Sequence, residues 1–229
     1  MAETAVKRAP GRGRFITFEG GEGSGKSMHI KILAERLNAA KLRAIVTREP
    51  GGSPGAEIVR HLVLSGMGKL LGPEAETLLF AAARDDHVRT VIEPALQQGI
   101  WVLCDRFSDS TRVYQGSLGQ VAPAVLNAMQ RVTIGDLKPD LTVILDVPVE
   151  VGLQRAAARR GTGAADRFEA EDIRFHQELR DAYRQIAAAE PERCVLIDAT
   201  AEPSIVAANI WSALRDRFFA TGANAVNSA

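Results

Sequence analysis

The chain has 229 residues, which is enough for one large domain with a hydrophobic core. Lys and Arg total 28, as do Asp and Glu, so the formal net charge is zero, which argues against a dedicated nucleic-acid-binding protein. No apolar run approaches the roughly 20 residues that a membrane-spanning helix needs, so we expect no membrane association.

The two ends of the chain are predicted to lie outside the folded domain. Residues 1–13 form a short basic stretch without the apolar segment of a secretory signal, which predicts a disordered tail. An arginine-rich organellar presequence is the weaker alternative, because the stretch is short and contains Glu3. Residues 221–229 are predicted to be a frayed tail, which leaves a single domain at 14–220.

Five short apolar runs, separated by helical patterns, predict the strands of one sheet. Their continuous rather than alternating apolar character indicates strands buried on both faces, and hence a parallel sheet. The expected fold class is therefore α/β, a three-layer α/β/α domain with right-handed crossovers and a parallel sheet of about five strands. The predicted strands are Phe15–Glu19, Ala44–Thr47, Trp101–Cys104, Thr142–Leu145 and Val195–Ile197.

The first predicted strand runs directly into a glycine-rich loop. Residues 20–27 fit the phosphate-loop pattern G-x-x-x-x-G-K-[ST], and a helical pattern follows from Met28 to Ala40. In this context the loop N–H groups point at phosphate oxygens, Lys26 reaches the β- and γ-phosphates, and the Ser27 hydroxyl binds Mg²⁺. The predicted ATP-binding residues are Gly20, Gly21, Glu22, Gly23, Ser24, Gly25, Lys26 and Ser27.

A long helical pattern runs from Glu76 to Gln98. Pro94 lies inside it and is expected to kink or split the helix, because proline removes a backbone donor and clashes with the preceding turn. The apolar positions of the pattern are Leu78, Leu79, Ala82, Val88, Val91, Ile92 and Leu96.

Asp105 follows the third predicted strand. A carboxylate at the end of a buried strand is the second element of phosphate-loop enzymes, in which it helps to hold Mg²⁺. An aspartate at a strand end is common by itself, but here it accompanies a phosphate loop. Ser27 and Asp105 are therefore the predicted Mg²⁺ ligands.

Two glycine-rich segments, residues 48–55 and 159–167, interrupt the alternation of strands and helices. The first follows a strand directly, at the edge of the sheet where open α/β folds bind ligands. The second places Arg159, Arg160 and Arg167 around two glycines, which predicts a mobile lid at about 159–168. Fixed guanidinium groups stabilise the charge that develops during phosphoryl transfer.

The cysteines and histidines are interpreted as structural residues. Cys104 and Cys194 lie in apolar runs and are predicted to be buried strand residues, which fits a reducing cytoplasm. The four histidines match no metal-site spacing and are interpreted as helix-surface residues. They are His29, His61, His87 and His176.

From Arg14 to Ala199 the chain resembles the bacterial thymidylate kinases, because several of their motifs occur here in the family order. The resemblance implies ATP-dependent phosphorylation of dTMP to dTDP, with Mg²⁺ as cofactor, by a cytoplasmic homodimer. The motifs are Phe18-Glu19-Gly20, Thr47-Arg48-Glu49-Pro50-Gly51-Gly52, Leu79-Phe80-Ala81-Ala82-Ala83-Arg84, Asp105-Arg106-Phe107 with Ser110-Thr111 and Tyr114-Gln115-Gly116, and Pro139-Asp140-Leu141 with Leu145-Asp146-Val147-Pro148.

The resemblance also implies roles for individual residues in acceptor binding. Glu22 would contact the 3′-hydroxyl of the acceptor sugar, and Arg48 and Arg106 would hold the acceptor phosphate. Ser110, Thr111 and Tyr114 would lie around the base and deoxyribose, with Thr111 at a position that is Asn in some relatives, and Gln115 is predicted to bind the substrate as well.

More specific contacts with the base and the sugar are implied for three residues. Phe80 would stack on thymine, Arg84 would read its O4 atom, and Tyr114 would fill the space that a ribose 2′-hydroxyl needs. The phosphate loop itself carries no arginine, which resembles the family arrangement in which the lid supplies them. The residues predicted to be catalytic are Lys26, Arg106, Arg159, Arg160 and Arg167.

Three other functions compete with this interpretation. A kinase for another acceptor would share the phosphate loop, and only Phe80, Arg84 and Tyr114 discriminate against it. A regulatory GTPase-like switch would carry an Asn-Lys-x-Asp motif, which the sequence lacks. An inactive scaffold is disfavoured by the intact Lys26 and Asp105.

Overall fold

The computed structural model describes residues 11–163 and 167–219, and its centre is a five-stranded parallel sheet of order β2-β3-β1-β4-β5. The predicted sheet is confirmed, and four strands extend one residue past one or both predicted ends. Polar residues such as Arg48 and Asp105 pair in the ladder, because backbone hydrogen bonding continues beyond the last apolar side chain. The strands are β1 (Phe15–Glu19), β2 (Ala44–Arg48), β3 (Trp101–Asp105), β4 (Leu141–Asp146) and β5 (Cys194–Asp198).

The expectation that every strand is buried on both faces is wrong for the two edge strands. β1 is completely buried, and β3 and β4 are buried except at their last residues. Val46 of β2 is 48% exposed and Leu196 of β5 is 40% exposed, because no strand lies on their outer side. An apolar run therefore predicted a strand correctly but did not distinguish the centre of the sheet from its edge.

Helices cover both faces of the sheet and give the predicted three layers. On one face, α1 and α9 pack against side chains such as Phe18 and Leu103. On the other face, α4 covers Val102 and α8 covers Ile144. The helices are α1 (Lys26–Ala39), α2 (Pro54–Leu64), α3 (Pro73–His87), α4 (Glu93–Gln97), α5 (Ser108–Thr111), α6 (Pro123–Thr133), α7 (Val149–Arg160), α8 (Ile173–Ala189) and α9 (Pro203–Phe218), with a 3₁₀ turn at Met67–Leu71 and π-helical turns at Val88–Ile92 and Arg112–Leu118.

The long helical pattern around Pro94 is divided, as predicted. Helix α3 passes into the π-helical turn, and α4 begins at Glu93. Pro94 lies in the first turn of α4, where its missing N–H would have no helical partner in any case. Within the described residues, no helix combines the length and apolarity needed to cross a membrane.

The predicted tails lie largely outside the described residues. Residues 1–10 and 221–229 are outside them, as is residue 220 of the predicted domain. Residues 11–13, assigned to the tail from the sequence, are described, and Gly13 is buried and donates its N–H to the Leu96 carbonyl at 2.8 Å. A Cβ on Gly13 would overlap the Ile100 carbonyl oxygen, so the backbones touch here and the domain begins before Arg14.

Candidate active site

A cleft of about 660 Å³ lies at the carboxyl ends of β1, β2 and β3. Parallel strands place their carboxyl ends at one edge of the sheet, so residues distant in sequence meet there. Gly20, Gly21, Arg160 and Arg167 are the predicted site residues that do not line it. The predicted residues that line it are Glu22, Gly23, Ser24, Gly25, Lys26, Ser27, Arg48, Phe80, Arg84, Asp105, Arg106, Ser110, Thr111, Tyr114, Gln115 and Arg159.

The phosphate loop contains glycines where a side chain would not fit. Gly25 caps α1 in the left-handed region with φ of 91°, and Gly23 has φ of 64°. A Cβ on Gly23 would overlap the carbonyl oxygen of Gly152 in α7, and one on Gly152 would lie 2.5 Å from the Glu22 carbonyl oxygen. The backbone of the loop therefore packs directly against the backbone of α7, and this contact holds the loop in place.

Lys26 belongs to the first turn of α1, which starts two residues before its predicted beginning. Its Nζ donates hydrogen bonds to the carbonyl oxygens of Gly20 at 3.0 Å and Gly21 at 2.9 Å. Burial lowers the pKa of Lys26 to about 8, with the Arg106 charge acting in the same direction and nearby carboxylates opposing it. The carbonyl oxygens of the phosphate loop thus hold the ammonium group in a fixed orientation.

Ser27 and Asp105 meet as predicted, with the serine Oγ donating to Asp105 Oδ2 at 2.7 Å. Mg²⁺ prefers oxygen ligands and keeps several waters, so it is commonly held by one or two carboxylates together with substrate phosphates. Among the described residues, no group of three or more acidic, His or Cys side chains could hold a metal ion. The pair of oxygens therefore fits Mg²⁺ held jointly with a nucleotide.

Arg106 links the phosphate loop to the acceptor side of the cleft. Its Nη2 pairs with Glu22 at 2.7 Å, and its Nη1 donates to the Tyr183 hydroxyl at 3.2 Å. Its guanidinium lies 5.1 Å from the ring centroid of Tyr114. Burial alone would raise the pKa of Glu22, but the charges of Arg106 and Lys26 outweigh it and hold that pKa below its ordinary value. Glu22 is therefore ionised and faces a cation.

The backbone of Arg106 has φ of 67°, in the left-handed region that non-glycine residues seldom adopt. Its N–H donates to the Phe18 carbonyl at 2.9 Å, so the peptide is bound to β1 just past the sheet. The cost of this conformation is of order 1 kcal/mol. It turns the chain sharply after Asp105, so that Arg106 enters the cleft beside the predicted metal ligand.

A buried carboxylate that sequence reasoning missed supports this turn. Glu19 is fully buried and accepts hydrogen bonds from the Phe107 N–H at 2.8 Å, the Ser110 Oγ at 2.7 Å and the Tyr183 hydroxyl at 2.9 Å. Burial raises the pKa of Glu19 to about 7, as does the Asp109 charge, and Arg106 opposes them. The available signal was a charged residue inside an apolar strand just before the phosphate loop.

Arg84 lies buried at the acceptor side of the cleft. Its Nη1 donates to Thr111 Oγ1 at 2.9 Å, and its Nη2 donates to the Phe107 carbonyl at 3.1 Å. Tyr114 lies edge-on to Phe168, with centroids 5.0 Å apart. Phe80, Arg84 and Tyr114 all line the cleft, so the structure brings the implied base-binding residues together.

Arg48 is less constrained than the other implied phosphate ligands. Its side chain is 53% exposed and its Nη2 lies 2.9 Å from Glu57 Oε1. Glu57 also accepts the Gly52 N–H at 2.9 Å, so it fastens the loop after β2. Arg48 lines the cleft from this loop and would have to exchange Glu57 for a phosphate.

The predicted lid is only partly described, because residues 164–166 lie outside the described ranges. Arg159 lines the cleft. Arg160 instead pairs with Glu169 at 2.6 Å, and Arg167 makes a two-pronged ion pair with Glu76 of α3. Of the three predicted lid arginines, the structure thus brings one to the cleft and ties two to carboxylates.

The interpretation of the histidines as helix-surface residues is wrong for three of them. His29, His87 and His176 are buried, and only His61 is exposed. The buried His87 hydrogen-bonds Thr47 and lies 3.1 Å from Glu49, neither of which is near it in sequence. The two cysteines are buried, as predicted.

The fold and the site together define the class of protein. A phosphate loop after β1, a hydrogen bond from its Ser27 to Asp105 at the end of β3, and the sheet order β2-β3-β1-β4-β5 make it a P-loop nucleoside monophosphate kinase. A sequence model of the family described as thymidylate kinase matches residues 18–210. The chain belongs to the thymidylate kinase family.

Individual relatives agree with this assignment. The chain is 75% identical to a thymidylate kinase of Bradyrhizobium diazoefficiens, over 99% of this chain and 100% of the relative. It is 80% identical to one of Nitrobacter winogradskyi, over 95% and 94%. The crystal structure of thymidylate kinase from Ehrlichia chaffeensis is similar with a TM-score of 0.72 and 33% identity, over 90% of this chain and 99% of that chain. The predicted family, fold and enzyme class, a kinase, are confirmed.

Proposed function

We propose that this chain transfers the γ-phosphoryl group of ATP to dTMP and so forms dTDP. The observation that carries the proposal is a single cleft lined both by the phosphate loop and by Phe80, Arg84 and Tyr114. Family membership supports the same reaction. In this cleft the donor loop and the acceptor residues share one cation, Arg106, which contacts Glu22 and lies over Tyr114.

The residues would act mainly by positioning and by electrostatic stabilisation, which dominate phosphoryl transfer. The loop N–H groups and Lys26 would hold the donor phosphates, and Arg106 would hold the acceptor phosphate. Ser27 and Asp105 would hold Mg²⁺, which, when bound there, neutralises charge on the phosphate oxygens. Glu22, kept ionised by Arg106, would accept a hydrogen bond from the 3′-hydroxyl of the acceptor sugar.

Acceptor choice tests the function directly. We expect kcat/KM to be highest for dTMP, roughly 10- to 200-fold lower for dUMP, because one methyl group contributes little in an apolar pocket, and lower still for UMP. Tyr114→Ala should narrow the gap between dUMP and UMP by removing the bulk that excludes a 2′-hydroxyl, whereas Tyr114→Phe should leave it nearly unchanged. A steady-state assay with these monophosphates and dCMP measures this. A preference for UMP or dCMP over dTMP would contradict the thymidylate assignment.

The lid residues are proposed to act on the transition state. Arg159→Gln should lower kcat by about a hundredfold and change the KM for dTMP little, because the contact strengthens as charge develops. Arg160 and Arg167 would contribute only after leaving Glu169 and Glu76, so Arg160→Gln is the matched comparison. Initial-rate kinetics of both variants separate kcat from KM. A pure KM effect in Arg159→Gln would place that residue in ground-state binding instead.

A homodimer is proposed on an exposed apolar surface. Helices α2, α3 and α6 pack side by side, yet Ile58, Leu78 and Val132 on them are 73%, 50% and 78% exposed, and Leu70 of the neighbouring 3₁₀ turn is 86% exposed. Large exposed apolar patches mark association sites. Sedimentation equilibrium should show a dimer that Ile58→Glu weakens, and a monomer at every concentration of the unmodified protein would contradict this.

The cellular location and domain limits are proposed on simpler grounds. The two cysteines, Cys104 and Cys194, are unpaired and buried within strands, which suits the reducing cytoplasm. We propose a cytoplasmic enzyme with one kinase domain that reaches to about residue 220 and includes a lid at about 159–168.

A further inference from the structure

We propose that Glu49 and His87 are positioning residues for the acceptor base, which hold the guanidinium of Arg84 toward a carbonyl oxygen at C4 of a pyrimidine. The inference deepens the proposed function and rests on it. A fixed Arg84 would favour bases with a carbonyl group at C4 over bases with an amino group there. Glu49 lines the cleft beside Arg84, whereas His87 lies behind it and could act only through its neighbours.

A continuous chain of hydrogen bonds joins β2 to Arg84. Thr47 Oγ1 lies 2.6 Å from His87 Nε2, His87 Nδ1 lies 3.1 Å from Glu49 Oε1, and Glu49 Oε2 accepts from Arg84 Nε at 2.7 Å. A carboxylate can only accept, so His87 Nδ1 donates to Glu49. Each oxygen of Glu49 is therefore assigned to one partner, and the carboxylate cannot rotate without breaking a bond.

The hydrogen bonds of Arg84 determine which of its N–H groups are available to a ligand. A guanidinium has five N–H groups in one plane. Glu49 takes the Nε group, Thr111 Oγ1 takes one on Nη1 at 2.9 Å, and the Phe107 carbonyl takes one on Nη2 at 3.1 Å. Within the described contacts, one N–H on each Nη is left over. The orientation of this pair is fixed by acceptors on three sides.

The network is closed to water from the side of the loop after β2. Thr47, Glu49, Arg84 and His87 are all less than 10% exposed. A Cβ on Gly52, whose φ is 88°, would overlap Thr47 Oγ1 and lie 2.5 Å from His87 Nε2. The loop backbone thus lies directly on the His87–Thr47 pair. In such a buried place a hydrogen bond is strong, and a lost partner is not replaced by solvent.

Fixation of Arg84 converts a charge into a discriminating contact. Thymine and uracil present an acceptor oxygen at C4, whereas cytosine presents an amino group whose N–H would face the N–H groups of Arg84. Specificity is the difference between the affinities for the two kinds of base. A guanidinium that cannot reorient makes the full unfavourable contact between its N–H groups and the cytosine amino group. Without His87, Glu49 and Arg84 could reorient together. The unfavourable contact with a cytosine amino group would then cost less, and the hydrogen bond to a carbonyl oxygen at C4 would be weaker.

The test compares dUMP with dCMP, because both lack the methyl group and they differ at C4. We expect His87→Leu to narrow the dUMP/dCMP ratio of kcat/KM by about fivefold to tenfold, the value of one well-oriented hydrogen bond. His87→Asn, whose side-chain amide can still donate toward Glu49, should restore most of the ratio. Thr47→Val, which removes only the outermost bond at nearly constant volume, should narrow it by a smaller factor.

The controls separate positioning from folding and from the proposed function. His61→Leu changes the exposed histidine of α2 and should leave the ratio and both rates unchanged, and melting temperatures identify variants that lose stability. An unchanged dUMP/dCMP ratio of kcat/KM in both the His87→Leu and the Thr47→Val variants would overturn the inference. This includes the case in which kcat/KM falls equally for the two acceptors. A preference of the unmodified enzyme for dCMP over dTMP would instead overturn the proposed function. The acceptor preference of the unmodified enzyme is therefore measured before any variant is made.

Discussion

Replacing Lys26 with alanine should lower kcat by at least about a hundredfold, the effect of removing one fixed charge from a site where negative charge develops. The Nζ atom is held by the Gly20 and Gly21 carbonyl oxygens, so it is preorganised before a nucleotide arrives. Phosphoryl transfer spreads charge over the transferring oxygens, and water that replaces Nζ would have to reorient during the reaction. Initial-rate kinetics with saturating ATP and dTMP measure the loss.

Stability should change little in the same variant. Burial lowers the pKa of Lys26 from 10.5 to about 8, which means that folding disfavours the charged form. The charge therefore costs stability below pH 8, and this cost is relieved as the pH rises toward 10.5. Removing the ammonium group removes this cost but also its hydrogen bonds to the Gly20 and Gly21 carbonyl oxygens, and these opposing effects should leave the melting temperature at pH 7 close to that of the unmodified protein.

Lys31→Ala is the matched control, because Lys31 is an exposed lysine on the same helix. It should leave both kcat and the melting temperature unchanged. A folded Lys26→Ala variant with nearly full turnover would contradict the assignment of the phosphate loop.

The elements that were predicted well depend on local sequence. The glycines and Lys26 of the phosphate loop are adjacent in the chain, and their spacing alone defines the geometry. The strands were found because apolar runs of strand length alternate with helical periodicity. The exposure of the two edge strands was not predicted. The 48% exposure of Val46 depends on the position of β2 in the strand order, which no local pattern encodes.

The contacts that were missed join distant parts of the chain. The Glu19–Tyr183 hydrogen bond spans 164 residues, and the Arg167–Glu76 ion pair spans 91. The sequence shows that Arg167 carries a charge but not which carboxylate it meets. The same holds for His87, whose partners Thr47 and Glu49 lie 40 and 38 residues earlier in the chain. Tertiary packing decides such partners, and spacing alone does not reveal them.

Arg106→Gln should lower kcat/KM for dTMP by about a thousandfold or more, because it removes the cation proposed to hold the acceptor phosphate and leaves Glu22 without its partner. Both side chains are only 16% exposed and their ion pair is 2.7 Å long. Breaking a buried pair on one side costs about 3–5 kcal/mol, so the variant should also melt at a lower temperature. In the variant, burial would act on Glu22 without Arg106 and raise its pKa.

The double variant Arg106→Gln/Glu22→Gln separates the two effects. It also removes the carboxylate that Arg106→Gln leaves unpaired at Glu22, so it should recover most of the lost stability. It should not recover activity, because it lacks both the cation proposed to hold the acceptor phosphate and the carboxylate proposed to bind the 3′-hydroxyl. Arg174→Gln removes an 84% exposed arginine paired with Glu178 and should change neither quantity. Thermal melts and kcat/KM of all four proteins decide the matter. If the double variant regained activity along with stability, Arg106 would be a structural partner of Glu22 and not a ligand of the acceptor phosphate.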